Sequence, residues 1–175
     1  KFSIVNDSDI PELLKAISKT LEEKNLNEEQ KFNTNFWYWQ YKHLPTKKSF
    51  CYAAWLDQEI IGYYHVVTHN FIAKSNDYII GNIQDVAILK DFRGQGIFQK
   101  LAEFANADIN KHVDILYTFP NKKSINTFLK YDKFNLIASL PIYILPLEID
   151  KIINTRFNLY GLEKIIGLPF KIFSK

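Results

Sequence analysis

Apolar and polar residues alternate along this chain with two different periods, and the points where the period changes outline its elements. Phe2 to Val5 reads as a short strand, after which Asn6-Asp7-Ser8 offers capping side chains and Pro11 falls where a first helical turn tolerates it. Ile10, Leu13, Leu14, Ile17 and Leu21 recur at helical spacing and predict a helix with one buried face, ending near Glu23. Residues 24–33 are polar and read as a loop. The cluster Phe36-Trp37-Tyr38-Trp39-Gln40-Tyr41 predicts a short helix capped by Asn33 or Thr34. Rings on every side of so short a helix cannot all face one core. They act either as a lid on a sheet or as one wall of a ligand pocket.

Period-two alternation takes over beyond this cluster. Phe50–Leu56 and Glu59–Val67 read as strands joined at Asp57-Gln58, with Gly62 allowing a close approach or a bulge. A connection over Phe71–Tyr78 leads to a central strand, Ile79–Leu89, that carries Asp85 among apolar residues. A carboxylate there is costly unless paired or functional, so Asp85 is either a general base or substrate anchor, or a structural hydrogen-bond partner. Asp85, Ala87 and Leu89 share one face. Ile97, Leu101, Phe104 and Ala105 then mark a helix ending near His112, Asp114–Phe119 a strand closed by Pro120, and Asn121 to about Tyr131 a helix with Ser124 in its first turn. Phe134–Ala138 and Ile142–Leu145 read as closing strands, and helical periodicity returns from Glu148 and again over Leu159–Ser174.

The chemistry concentrates at Ile83–Phe98. A buried strand runs into a short charged loop, and Arg93-Gly94-Gln95-Gly96 then opens a helix. The backbone N–H groups of Gln95, Gly96 and Ile97 lie at a helix N-terminus with no side chain at either glycine, which suits a phosphate or pyrophosphate. Arg93, one of two arginines in the chain, can add a planar contact. A P-loop would need Lys-Ser/Thr after its last glycine, and Ile97 stands there. A dinucleotide fingerprint would need glycine at Gln99, and Asp114 precedes its strand instead of closing it.

Strand, Arg-Gly-x-Gly-Ile and amphipathic helix resemble the acyl-CoA loop of the GNAT acyltransferases. The resemblance extends from Asp85–Leu101 to Phe119–Ile137, and upstream to Cys51–Val67 and Phe2–Ile17. It implies a mixed α/β GNAT fold: a mostly antiparallel sheet splayed between its fourth and fifth strands, with helices on both faces. A domain over residues 1–147 is expected, followed by a helical extension over residues 148–175. The resemblance also implies acetyl-CoA as co-substrate. Its pantetheine arm would pair with the strand edge near Ile88 and Leu89, its pyrophosphate would rest on Arg93, Gly94, Gln95, Gly96, Ile97 and Phe98, and Asn121 would meet the arm from the other wall. Phe98 stands where the family usually has Gly or Ala, Lys133 where it has Gly, and Leu129 where it often has a general-acid Tyr.

The reaction so implied is direct attack of a small amine on the thioester. Asp85 or His65 could take the acceptor's proton, and Tyr117 or Tyr131 could protonate the departing thiolate in place of Leu129. His65 is alternatively structural. Trp37, Trp39 and Tyr41 are candidate acceptor contacts, and their rings suit an amino sugar. A catalytically weak acyl-CoA-binding regulatory module is the alternative, motivated by Leu129.

Composition narrows the partners. At 175 residues, 47% hydrophobic and 23% charged, the chain can bury a sizeable core. Net charge is +3 with no basic block, so no nucleic-acid partner is expected. No apolar run approaches the ~20 residues that span a bilayer. His65 and His69 lack metal-pair spacing, so no metal is expected. The lone Cys51 reads as a small core residue ahead of a nucleophile and fits a reducing cytoplasm. Sequence leaves monomer and homodimer equally open.

Overall fold

In a computed structural model, residues 1–22, 33–46 and 48–141 are described. The chain forms two compact units, Lys1–Asn135 and Leu136–Lys175. The first carries β1 (Phe2–Ile4), α1 (Ile10–Glu22), α2 (Thr34–Tyr41), β2 (Ser49–Leu56), β3 (Glu59–Ala73), β4 (Asn76–Ile88), α3 (Ile97–Ile109), β5 (Ile115–Thr118) and α4 (Ile125–Tyr131). The strands form one sheet in the order β1-β2-β3-β4-β5. Pairing is antiparallel from β1 to β4 and parallel between β4 and β5.

Helix α1 forms as its spacing predicts. A single 3-10 turn at Asp7–Asp9 precedes it, in which Asn6 and Asp9 cap one another reciprocally. Ile10, Leu13, Leu14, Ile17 and Leu21 are all buried. Helix α2 begins at Thr34 because the Asn33 side chain accepts from the Asn35 N–H at 2.8 Å.

The sheet separates two cores. On one face Cys51, Ala53, Tyr63 and Val67 pack with α1 and with Trp37 and Tyr41 of α2. On the other, Tyr52, Ala54, Tyr64, Val66 and Ile83 pack with Leu101, Ala102, Ala105 and Ile109 of α3 and with Phe128 of α4. Strict alternation along β2 and β3 produces this division, because neighbouring residues point to opposite faces.

Several boundaries differ from those the sequence predicts. β3 and β4 run on to Ala73 and back from Asn76, so the expected connection over Phe71–Tyr78 is a tight hairpin with Lys74 and Ser75 both at positive φ. α3 ends at Ile109, short of His112. Asn121 opens a turn and not the helix itself: its Oδ1 accepts from the N–H groups of Lys123 (2.9 Å) and Ser124 (3.0 Å) before α4 starts. The strand expected over Phe134–Ala138 is absent, because residues 133–141 pair with no other strand among the described residues. The expected strand Ile142–Leu145 and the helical extension of residues 148–175 lie outside the described residues, as does most of the polar loop at 24–33.

Candidate active site

The parallel pairing of β4 with β5 is short. It covers Ile80–Ile115, Gly81–Leu116, Asn82–Tyr117 and Ile83–Thr118, and stops there. β4 continues through Ile88, whereas β5 leads through Phe119 into Pro120, which has no N–H to offer. The two strands therefore part beyond Ile83. The Leu89 N–H donates to the Ile61 carbonyl at 2.9 Å, so Leu89 and Ala87 turn their main-chain groups toward β3. Val86 and Ile88 turn theirs toward the gap. An extended ligand strand could pair with that edge.

β4 is bulged at the mouth of the gap. Tyr64 opposes Val86 while His65 opposes Gln84, which leaves Asp85 as the extra residue, at φ 22°. Register places Asp85 on the α1/α2 face, where the Tyr41 hydroxyl donates to its carboxylate in a short hydrogen bond. Gln40 Nε2 donates to the same hydroxyl at 3.1 Å. Burial, and then the Asp85 carboxylate beside it, raises the Tyr41 pKa well above the ordinary phenol range.

His65 lies fully buried beneath α2. Its ring stacks on Tyr41 at 4.3 Å and 22°, its Nε2 accepts the Trp37 indole N–H at 3.2 Å, and its Nδ1 lies 3.4 Å from the Asp85 carbonyl. Loss of water lowers its pKa from 6.5 to about 4, so the imidazole is neutral at physiological pH. The Nε2 lone pair is occupied by Trp37. Of the three aromatic candidates on α2, Trp37 and Tyr41 are buried and Trp39 is 62% exposed.

At the other end of β4 lies the glycine turn. A 3-10 turn at Lys90–Phe92 carries the chain to Arg93, whose Nε–H donates to the Ile88 carbonyl at 2.7 Å. Gly94 and Gly96 follow at φ 76° and 73°, a region that side chains disfavour. A Cβ at either would meet nothing within 4 Å, so the turn faces open space. Gln95 Nε2 folds back to the Asp91 carbonyl at 3.1 Å, and α3 begins at Ile97 with its unpaired N–H groups at this opening. The arrangement fits a diphosphate joined to an extended thiol arm: bare amides at a helix start, and a stretch of β4 beyond Ile83 that no strand among the described residues covers on that side.

Tyr117 shares the Asp85 face, since Leu116 beside it packs on the opposite side with α3. Asn82 and Gln84 lie on that same face of β4, half-buried, and among the described residues neither amide has a side-chain partner. Tyr131 ends α4, 41% exposed beneath Lys130. The amides Asn82 and Gln84, and the bulge itself, escape a reading of the sequence. Only register brings them to the mouth of the gap.

A sheet split between parallel neighbours, beside a left-handed glycine turn that opens a helix, makes a mixed α/β domain with room for an extended, anionic ligand. The chain belongs to the acetyltransferase (GNAT) family, whose model matches residues 12–132. No curated protein sequence matches it. Solved structures agree on the fold. One neighbour is an aminoglycoside acetyltransferase from an uncultured soil metagenomic sample, in complex with trehalose (TM-score 0.62, 16% identity, 83% of this chain and 93% of that one). Another is glucosamine-6-phosphate N-acetyltransferase from Arabidopsis thaliana (0.60, 13%, 83% and 98%). A third is a predicted acetyltransferase from Clostridium acetobutylicum with acetyl-CoA (0.62, 15%, 82% and 95%). Family membership supports N-acetyltransferase activity in general. Among the described residues no cluster has the donor set of a metal site, and no helix is long and apolar enough to cross a membrane.

Proposed function

We propose that the protein transfers an acetyl group from acetyl-CoA to the primary amine of a small polyhydroxylated molecule such as an amino sugar. The observation that carries this reading is Asp85, a carboxylate held on a bulge where the split between β4 and β5 begins. Acetyl-CoA supplies an activated thioester, and the residues of this chain supply position and proton transfer. Gln95, Gly96 and Ile97 N–H groups with Arg93 receive the diphosphate, and the main-chain groups of Val86 and Ile88 receive the arm. The acceptor ammonium gives its proton to Asp85, which leaves a neutral amine to attack the acyl carbon. The N–C bond forms and the C–S bond breaks; Tyr117, on the same face, protonates the sulfur and regains a proton from the one the acylated nitrogen sheds. Tyr131 is the second candidate for that step. Asn121 faces the arm from the β5 side.

Asn82 and Gln84 support a hydroxyl-bearing acceptor. Partly exposed amides with no side-chain partner among the described residues can donate to and accept from the hydroxyls of a ligand. The exposed Trp39 offers a face on which a sugar ring can stack. The sugar acetyltransferases among the structural neighbours are compatible with this class of acceptor but share too little sequence to identify it.

The test is incubation with acetyl-CoA and a panel of amino sugars, amino acids and polyamines, with thiol release and acceptor mass as readouts. Glucosamine-type acceptors are expected to gain an acetyl group. Coenzyme A binding without thiol release across the whole panel would favour a regulatory acyl-CoA-binding module.

A further inference from the structure

Two side chains meet Asp85, Tyr41 from α2 and His65 from β3, and Trp37 of α2 stands behind His65. The Tyr41 hydroxyl donates to the Asp85 carboxylate, and the His65 ring lies against the Asp85 main-chain carbonyl. An indole nitrogen can only donate, so the Trp37 bond requires His65 Nε2 to carry the lone pair and leaves the ring proton on Nδ1. His65 is thereby fixed as the donor to the Asp85 carbonyl. Tyr41, stacked flat on the same imidazole, completes a closed set of contacts.

What these contacts hold is an unfavourable piece of backbone. Asp85 is the extra residue of the bulge and has a positive φ. Such a conformation persists where its surroundings over-determine it. We infer that α2 is a clamp on this bulge. Tyr41 fixes the Asp85 carboxylate and Trp37, acting through His65, fixes the Asp85 carbonyl, so that all three are positioning residues for acyl transfer. The assignment rests on the reading of Asp85 as proton acceptor. It gives the buried α2 rings a different task from acceptor contact, and it gives His65 a different task from proton transfer.

An apolar filling would serve a purely structural purpose equally well. Buried polar groups carry a desolvation cost, yet each polar atom of Tyr41, Trp37 and His65 lies in a chain of bonds that ends on Asp85. A proton acceptor displaced by about 1 Å loses rate steeply.

The first measurement needs no acceptor. Long-range proton–nitrogen NMR of the histidine rings, with the His65 signal assigned by its loss in His65→Asn, reports the tautomer directly. His65 is expected to show a protonated Nδ1 in the wild type and to keep it in Trp37→Phe, because the Asp85 carbonyl can only accept. A wild-type ring protonated on Nε2 overturns the clamp.

The second measurement is kinetic, with glucosamine as acceptor. Tyr41→Phe keeps the ring and removes the hydroxyl. It is expected to lower kcat roughly tenfold to hundredfold, with the KM for acetyl-CoA and the melting temperature nearly unchanged. His65→Asn, which can still donate to the Asp85 carbonyl, is expected to retain more activity than His65→Leu. A Tyr41→Phe enzyme with wild-type kcat, beside an inactive Asp85→Asn, overturns the positioning role and leaves the base assignment standing. An Asp85→Asn enzyme with wild-type kcat overturns the base assignment and the positioning role together.

Discussion

Ile83 and Thr118 are the last residues at which the two parallel strands remain paired, and the Thr118 hydroxyl donates to the Ile83 carbonyl at 3.2 Å. The bond closes the vertex of the split: on one side of it the strands run together, and on the other β4 exposes Val86 and Ile88. Removing it is expected to let the vertex open. Thr118→Val preserves shape and strand preference while deleting the hydroxyl, at a cost of about 1 kcal/mol. The expected outcome is a melting temperature lower by a few degrees and a severalfold weaker coenzyme A affinity, both restored in Thr118→Ser. Unchanged affinity in the valine variant would separate the vertex from the arm site.

Gly96 allows backbone strain and charge to be measured separately. Because a Cβ there meets no atom within 4 Å, Gly96→Ala suffers no clash and pays only for φ at 73°, about 1–2 kcal/mol. Gly96→Asp adds a negative charge where the diphosphate is proposed to rest, which is worth several kcal/mol more at contact distance. Calorimetric titration with coenzyme A should show a modest loss for alanine and at least a further tenfold for aspartate. Equal affinities in the two variants would remove the diphosphate from this turn.

Arg93 is tied by its Nε to the Ile88 carbonyl, which links the anion turn to the final residue of the open strand. A lysine carries the same charge but has no donor at that point along its side chain. Arg93→Lys is therefore expected to resemble Arg93→Ala, with coenzyme A affinity reduced by roughly tenfold through loss of one charge-assisted bond. Full retention of affinity in the lysine variant would show that charge alone matters at this position.

The elements set by local chemistry were legible in the sequence. The α1 stripe, the Asn33 cap and the alternation of β2 and β3 require nothing from distant residues. So does the glycine pair, since only glycine adopts φ near 75° without strain. The β3–β4 hairpin was not legible, because its turn residues Lys74 and Ser75 both take positive φ without the Asn or Gly that ordinarily signals it. The bulge at Asp85 was equally hidden. An extra residue in a strand leaves alternation intact on either side, and only the register against His65 reveals it. The bonds of Tyr41 and His65 to Asp85, and of Trp37 to His65, join residues 20 to 44 positions apart, and periodicity within one element carries no information about such meetings.

Two buried acid–base groups should give stability opposite slopes against pH. Burial raises the Asp132 pKa above 3.8, the bonds from Tyr64 and Asn106 only partly offsetting it. The folded state then holds this proton more tightly than the unfolded chain, so its contribution is full below pH 3.8 and is lost as pH rises through the folded value. His65 acts in the other direction. Its pKa falls from 6.5 to about 4 on folding, so stability drops as pH falls from 6.5 toward 4. Protonation there would also set an N–H against the Trp37 indole N–H. Asp132→Asn should remove the opposing slope, with stability climbing more steeply as pH rises from 4 toward 6.5 than in the wild type. It should do so at little cost near neutrality, because Asn106 Oδ1 is buried without a partner among the described residues and a carboxamide at position 132 can donate to it. His65→Asn should show the reverse, a stability that declines as pH rises above 3.8. Melting temperatures of the three proteins across that range check the signs, and a wild-type slope unchanged by either substitution would place the pH dependence elsewhere in the molecule.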